Sequence, residues 1–546
     1  MYLDSSKITK KGKSYNRHLL RTSFRQDGKV KHRTIANLSQ CSDEEIRAIK
    51  LALKNKHQLS SLISIKDIKT SLDKRIGAVW VLNLLAQRLG ITASLGKEQQ
   101  GKLALLQVMS RTICQGSRLK AVRMAKSHAL CEVVGIDSLT EDDLYKNLAW
   151  LDENQEAIEK KLFEFHYKEA VPHLFLYDVT SSYLEGVCNE LADFGYNRDG
   201  KKGKAQVVIG LLTGPDGDPV AVRVFEGNTQ DTRTVSEQVR TVAQNFGVKE
   251  VTLVGDRGML KGPQIAELPE DFRYLTAITK PQVRTMLKEG VLQYELFTED
   301  VCEVQHEGVR YILRRNKERA RQLMLSREDK LACIGKLAKE RTEYLLQHSK
   351  AKAETALKKV YAKAKQLKVD KWVQVFSEAR TIVVEKDDVK LAGVSLLDGC
   401  YVIKSDLSKD KADSQTLHDR YCDLEKVERA FRTIKTVHLE MRPIYVRKKE
   451  STRGHAFVVM LALLIQRELE RRWVELDITV EEGIDELGSI RMEKIMLGNA
   501  VCLNIPEPDE LAQKLLDMVD VQLPSVLPDR RAFVHTKKKL PSERKK

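Results

Sequence analysis

The sequence predicts an α/β protein: a core built on a mixed sheet, interrupted by an α+β insertion and preceded by a β-hairpin and an all-helical domain. Three observations predict it. Apolar runs of strand length recur between residues 174 and 279 with turn residues or helical spacing between them. Helical spacing fills residues 43–168. The strand and helix rhythm stops after Pro281 and gives way to a helical stretch from Ser414. The divisions expected are a basic β unit over 1–42, a helical domain over 43–168, a first core segment over 169–280, an insertion over 281–408, a second core segment over 409–475, and a C-terminal region over 476–546.

Residues 14–39, SYNRHLLRTSFRQDGKVKHRTIANLS, alternate apolar and polar side chains about Asp27-Gly28, a dipeptide suited to the left-handed backbone of a tight hairpin. Helical periodicity follows in IGAVWVLNLLAQRLGI and LTEDDLYKNLAWL, the second opened by Thr140 with Asp143 three residues on, a capping-box arrangement. Two readings are open for this region: ordinary amphipathic core, or a DNA-binding helix-turn-helix. From Pro172 the order is β-β-β-α-β-α-β: LFLYDVTSSYL, KAQVVIGLLTG and VAVRVFEG, the helix TRTVSEQVRTVAQNFG, EVTLVGDRG, the short helix MLKGPQIAEL, and FRYLTAITK. A helix between the third and fourth strands permits the fourth to return parallel to the first. Within 281–408 a Lys-rich helical stretch near 328–368 separates YILRR from LDGCYVIKSDL. There Trp372 reads as core or as a base-stacking side chain. The last eighteen residues, DRRAFVHTKKKLPSERKK, are expected to be a basic tail.

The length exceeds the roughly 250–300 residues at which one hydrophobic core stops growing, so several domains are expected. A formal charge of +16 favours a polyanionic partner, nucleic acid first, although basic residues also serve solubility alone. Nine scattered cysteines form no CxxC pair, which speaks against a disulfide framework or a zinc site and fits a reduced cytoplasm. MYLDSSKITKKGKSYNRHLL lacks the apolar core of a signal peptide. AFVVMLALLI at 456–465 falls short of the roughly 20 residues that span a bilayer and reads as a buried helix, so no membrane partner is expected.

Asp178 is set in LFLYDVTSSYL, a run that otherwise looks like a buried strand, where an uncompensated polar group costs roughly 2–7 kcal/mol. Asp256 in TLVGDRGM repeats the pattern. If their strands are neighbours, both carboxylates project from one edge of the sheet; the plainer reading makes each a cap or a salt-bridged strand end. In SQTLHDRYCDLEKVERAFRTIKTVHLEMRPIY, residues 414–445, Tyr421, Glu428 and Lys435 stand seven apart and would share nearly one face of a helix, drifting about 20° per step. Val427, Ala430, Phe431 and Ile434 give that helix an apolar surface to bury. Arg442, Arg447, Lys448, Lys449 and Arg453 form a cationic run suited to DNA backbone contact, or to a solvated surface. Asp231 reads as a cap or as a residue behind the ligands rather than a ligand itself, Glu185 as solvent-facing, and Glu425 competes with Glu428.

The spacing of Tyr421, Glu428 and Lys435 resembles the third motif of the DDE transposases of bacterial insertion sequences, spelled Y-R-E-K, with Leu424 where that family has Arg. The resemblance continues through YDVTSSYLEG, GNTQD, VGDRGM, LDGCYVIKSDL and MRPIYVRKKESTRGH, over most of residues 170–470. It implies an RNase H-like catalytic core with the insertion ahead of the Glu helix. It further implies that Asp178, Asp256 and Glu428 are catalytic and hold two Mg²⁺ ions, for which Mn²⁺ can substitute, with Asp178 bridging them. Tyr421 and Lys435 would contact DNA. The implied activity is binding of terminal inverted repeats in double-stranded DNA, metal-dependent strand cleavage and strand transfer into target DNA. A homodimer in the DNA complex is implied, in a bacterial cytoplasm and at the nucleoid when bound. The alternatives are a metal-dependent DNA nuclease without strand transfer and a non-catalytic DNA-binding protein.

Overall fold

A computed structural model describes residues 1–10, 13–57, 68–186, 188–298, 301–435, 439–442, 444–497, 500–527 and 532–536. The chain forms two compact units, Met1–Lys74 with Ile490–Glu507 and Leu523–Arg530, and Arg75–Ser489 with Pro508–Gln522 and Arg531–Lys546.

The first unit opens with an antiparallel sheet of Tyr2–Lys10, Lys13–Gln26 and Lys29–Asn37. Asp27 and Gly28 both take positive φ, 53° and 74°, at the turn joining the last two strands. A helix, Asp43–Lys54, follows behind a capping box in which Ser42 accepts from the Glu45 N–H. A second sheet joins Ile68–Arg75 to Arg491–Leu497, Ala500–Asn504 and Val526–Leu527. The strand Ile68–Arg75 departs from the all-helical reading of 43–168. Its partner strand comes from the far end of the chain: the Arg491 guanidinium donates to the Asp73 carbonyl at 2.8 and 3.0 Å, 418 positions away. A local pattern carries no trace of so remote a pairing.

In the second unit, helices α1 (Gln99–Ile113), α2 (Arg118–Ser127) and α3 (Glu141–His166) precede an eight-stranded sheet. Its strands are β1 (Leu174–Tyr183), β2 (Gln206–Thr213), β3 (Pro219–Phe225), β4 (Val251–Gly255), β5 (Phe272–Ala277), β6 (Cys302–His306), β7 (Val309–Arg315) and β8 (Cys400–Ser405). Across the sheet they run β6-β7-β8-β5-β4-β1-β2-β3. Strands β1, β2 and β3 are antiparallel neighbours, whereas β4 lies parallel to both β1 and β5. Helix α4 (Asp231–Arg240) makes the crossover from β3 to β4, continuing through one wide turn at Thr241–Asn245. The sheet is therefore mixed, and strands on both sides of the stretch 317–395 belong to it. That stretch forms helices Lys317–Gln347 and Ala353–Gln366 and a hairpin of Val373–Glu378 with Thr381–Lys386, around their own small core. Trp372 lies inside that core, 3% exposed.

Three further helices complete this unit: α5 (Ser414–Cys422), α6 (Leu424–Lys435) and α7 (Lys449–Arg472). Residues 456–465 of α7 are all buried, as the run AFVVMLALLI requires, and α7 packs against α1, α3 and β3. Gly454 permits the close approach to α3, because a Cβ there would lie 2.0 Å from the Leu148 carbonyl oxygen. Helix α3 is tied to β3 by a buried ion pair: Arg223 donates to both oxygens of Glu159 at 2.8 Å, and Gln155 adds a donor at 2.7 Å. No helix among the described residues is long and apolar enough to cross a membrane. Of the expected basic tail, 529–531 and 537–546 lie outside the described residues. Phe533–Val534, by contrast, pair in parallel with Ser138–Leu139.

Candidate active site

Asp178 and Asp256 start from one register. Strands β1 and β4 pair as Leu174 with Thr252, Phe175 with Leu253, Leu176 with Val254 and Tyr177 with Gly255, and each acid is the next residue along its strand. The apolar runs that surprised as hosts for carboxylates are thus buried neighbours, and the acids stand where β4 ends. Asp178 is half-buried and accepts the Val179 N–H at 2.7 Å, while Asp256 is exposed and accepts the Arg257 N–H at 2.8 Å. Gly258 follows within the turn that leaves the strand, closed by the Met259 N–H on the Asp256 carbonyl at 3.0 Å.

Glu428 is delivered by α6. Val427, Ala430, Phe431 and Ile434 are buried and α6 packs on β1, which leaves Glu428 on the exposed side of the same helix. Tyr421 is not on that helix. The chain turns at Asp423, whose N–H bonds the Asp419 carbonyl while its carbonyl receives Lys426 N–H at 2.9 Å, so α5 ends before α6 begins. The single helical face expected for Tyr421, Glu428 and Lys435 is therefore broken between the first two. Tyr421 nevertheless feels two of the same acids. Burial foremost, then the Asp256 charge, pushes its phenol well above the ordinary range, and Glu428 adds to the shift.

The three acids share one electrostatic neighbourhood. Burial pushes the Asp178 carboxyl up to about 7; the Val179 hydrogen bond and the Arg198 charge oppose this, and Asp256 and Glu428 add to it. Glu425, the competing acid, is felt instead at Cys422. Among the described residues, no group of three or more His, Cys, Asp or Glu side chains is drawn closely enough together to hold a metal ion. As donors the three carboxylates still suit a hard cation such as Mg²⁺, which takes oxygen ligands, keeps several waters and would relieve their mutual repulsion.

Sequence reasoning missed the residues that hold this arrangement. Asp199, whose side chain is 1% exposed, accepts Lys435 Nζ at 2.9 Å and Arg442 Nη1 at 2.6 Å, and its other oxygen accepts the Tyr183 N–H at the end of β1. Arg442 also donates to the Lys435 carbonyl at 3.2 Å. Two cations expected to face DNA are thus engaged in fastening the end of α6 to β1. Burial lowers the Lys435 ammonium, and Asp199 works against that shift. Beyond them, Ile444 pairs with the end of β1 through the Tyr183 carbonyl at 3.1 Å. Arg198 donates to Asp231 at 2.5 Å, so Asp231, at the start of α4, anchors a cation beside Asp178. Arg447, Lys448 and Lys449 are exposed at the start of α7, where Glu190 accepts the Lys449 N–H, and Arg453 is half-buried near Asp152. Glu185 pairs with Lys204 at 3.0 Å. A cavity of about 680 Å³ opens at the other end of the strands, by Leu174, Thr252 and Arg273.

Residues 172–465, more than half of the chain, match the family model described as the transposase DDE domain, and residues 3–62 match that of the IS1634 family transposase N-terminal domain. The chain belongs to the DDE transposases of insertion sequences. Transposition is the activity that membership assigns it. No curated protein matches the chain. A piggyBac transposase, solved by cryo-electron microscopy as a synaptic complex with hairpin DNA, aligns with a TM-score of 0.35 at 8% identity over 74% of this chain and 79% of that one, a likeness too slight to build on.

Proposed function

We propose that this transposase is an RNase H-like enzyme that binds the terminal inverted repeats of its element, cuts the DNA there and joins the freed ends to a target, with Asp178, Asp256 and Glu428 as catalytic residues. The observation that carries the reading is the register of β1 on β4, which sets Asp178 and Asp256 side by side beneath the helix of Glu428. The strand order β3-β2-β1-β4-β5, three antiparallel strands followed by two parallel ones, supports the RNase H-like assignment. Two Mg²⁺ ions, when bound, would activate the attacking water or 3′-hydroxyl and stabilise the leaving oxygen in an in-line displacement.

The chain's own residues set the conditions for that chemistry. Asp178 feels the charges of both Asp256 and Glu428, which supports its place as the central acid. Tyr421 feels the charges of Asp256 and Glu428, and its ring and hydroxyl would meet the DNA beside the scissile bond. Asp199 fastens the end of α6 through Lys435 and Arg442. Arg447, Lys448, Lys449 and Arg453 serve as backbone contacts, positioning the duplex without reading its sequence. A homodimer would bring two element ends together.

The test is incubation of purified protein with labelled element ends and Mg²⁺. Joined products support the proposal. Hydrolysis alone makes the chain a nuclease, and binding without cleavage makes the acids structural.

A further inference from the structure

A second concentration of positive charge lies in the helical part of the same unit, apart from the acids and unused by the mechanism above. Arg111 near the end of α1 and Arg118 at the start of α2 are 5% and 6% exposed, and both line a cavity of about 520 Å³. Cations are rarely buried without an acid, yet among the described residues the polar partners of this pair are carbonyls and an imidazole. Arg111 donates to the Gly116 carbonyl at 2.9 Å and to the Leu439 carbonyl at 3.4 Å. Arg118 Nη2 bonds His455 Nδ1 at 3.0 Å, while its buried Nε has no hydrogen-bond partner among the described residues. Glu440, exposed at the rim, is the acid whose charge reaches Arg111.

Burial and mutual repulsion destabilise the two guanidinium charges, a cost that an anion between them would relieve. Burial lowers Arg118 to about 9 and Arg111 to about 10, the charge of Arg111 adds to the shift of Arg118, and His455 is held well below its usual range. The positive end of the ten-residue helix α2, capped by Ser117, faces the same space, with exposed Lys120 beside it. Val446 lines the pocket too, and the exposed cations Arg447, Lys448 and Lys449 continue directly from it. That continuity favours a polymer of phosphates over a free ion. We infer that this pocket is a second DNA contact, in which Arg111, Arg118 and Lys120 grip a backbone phosphodiester of duplex DNA away from the three acids. The inference rests on the reading that the chain acts on DNA.

Two measurements test it, using the full chain. The first is the salt dependence of duplex affinity, in which each neutralised phosphate contributes a slope of about −0.9 in log K against log salt. Arg118→Met and Lys120→Gln are each expected to reduce the slope by about one contact and to weaken binding several-fold. The second is melting with and without inorganic phosphate. Phosphate should raise the melting temperature of the wild type and leave Arg118→Met unmoved, and without phosphate Arg118→Met should melt no lower than the wild type. Unchanged slopes in both variants, with the wild type binding DNA, overturn the pocket. A lower melting temperature for Arg118→Met marks a structural charge and also overturns it; Lys120, being exposed, repeats the slope test independently of folding. A wild type that binds no duplex overturns the DNA reading instead, and retention of the phosphate response would then identify the pocket as an anion site alone.

Discussion

Asp178 and Asp256 are consecutive to the same registered pair, Tyr177 with Gly255, so two acids 78 positions apart come side by side where β4 ends against β1. Replacing Asp178 by Asn keeps the shape and removes the charge. Metal-dependent cleavage of labelled element ends should fall to background, while affinity for the same DNA stays within a few-fold of the wild type. Melting should be unchanged or slightly higher, because one of three mutually repelling carboxylates is gone. A clear loss of folded protein would make Asp178 a structural residue.

Divalent ions should stabilise the wild type. A ligand that binds only the folded state at about a hundred times its Kd adds roughly 2.7 kcal/mol. Millimolar Mg²⁺ or Mn²⁺ is therefore expected to raise the melting temperature of the wild type by several degrees and that of Asp178→Asn much less. Equal responses in the two proteins would place the ions elsewhere.

Asp199 offers a test of how α6 is held. Its carboxylate is almost wholly enclosed and meets both Lys435 and Arg442. Asp199→Asn leaves two cations without their partner and should cost about 3–5 kcal/mol in urea unfolding, the range for breaking a buried pair from one side. Cleavage should suffer more than DNA affinity, since Glu428 rides on the helix that loses its fastening. A variant as stable as the wild type would contradict this account.

Acid stability depends on Glu303. Arg310 holds its carboxyl down to about 2, with Nη2 at 2.8 Å and Nε at 3.0 Å, and Ser414 and Lys409 assist. The folded value lies below the ordinary glutamate range, so the stabilisation is complete above about pH 4.3 and is lost as the pH falls toward 2. Unfolding followed from pH 5 to 2 should show Glu303→Gln losing on the order of 2 kcal/mol less than the wild type across that window. Parallel curves would show that the pair contributes nothing.

What could be read in advance followed from contrast with surroundings. Asp178 and Asp256 stood out because charges interrupted strand-like runs, and the apolar stripe of Val427, Ala430, Phe431 and Ile434 showed which side of the Glu helix turns inward. Asp199 was invisible because it lies in NRDGKKGK, a polar stretch that reads as loop, and only the folded chain shows it enclosed by Lys435 and Arg442. The break at Asp423 was hidden for a related reason, since one residue of turn barely disturbs a seven-residue spacing. The burial of Arg118 leaves no mark on the local pattern, because it depends on packing against a helix more than three hundred positions away.

The late position of α7 governs the order in which a newly made molecule can mature. Helices α1 and α3 and strand β3 leave the ribosome long before the segment Lys449–Arg472 that they pack against, so their greasy faces wait uncovered while the remainder is translated. Glu428 emerges only shortly ahead of that segment. A growing polypeptide therefore cannot assemble its acid trio on a finished scaffold until Arg472 has been added, and in the interval it bears exposed apolar surface of the kind that chaperones shield.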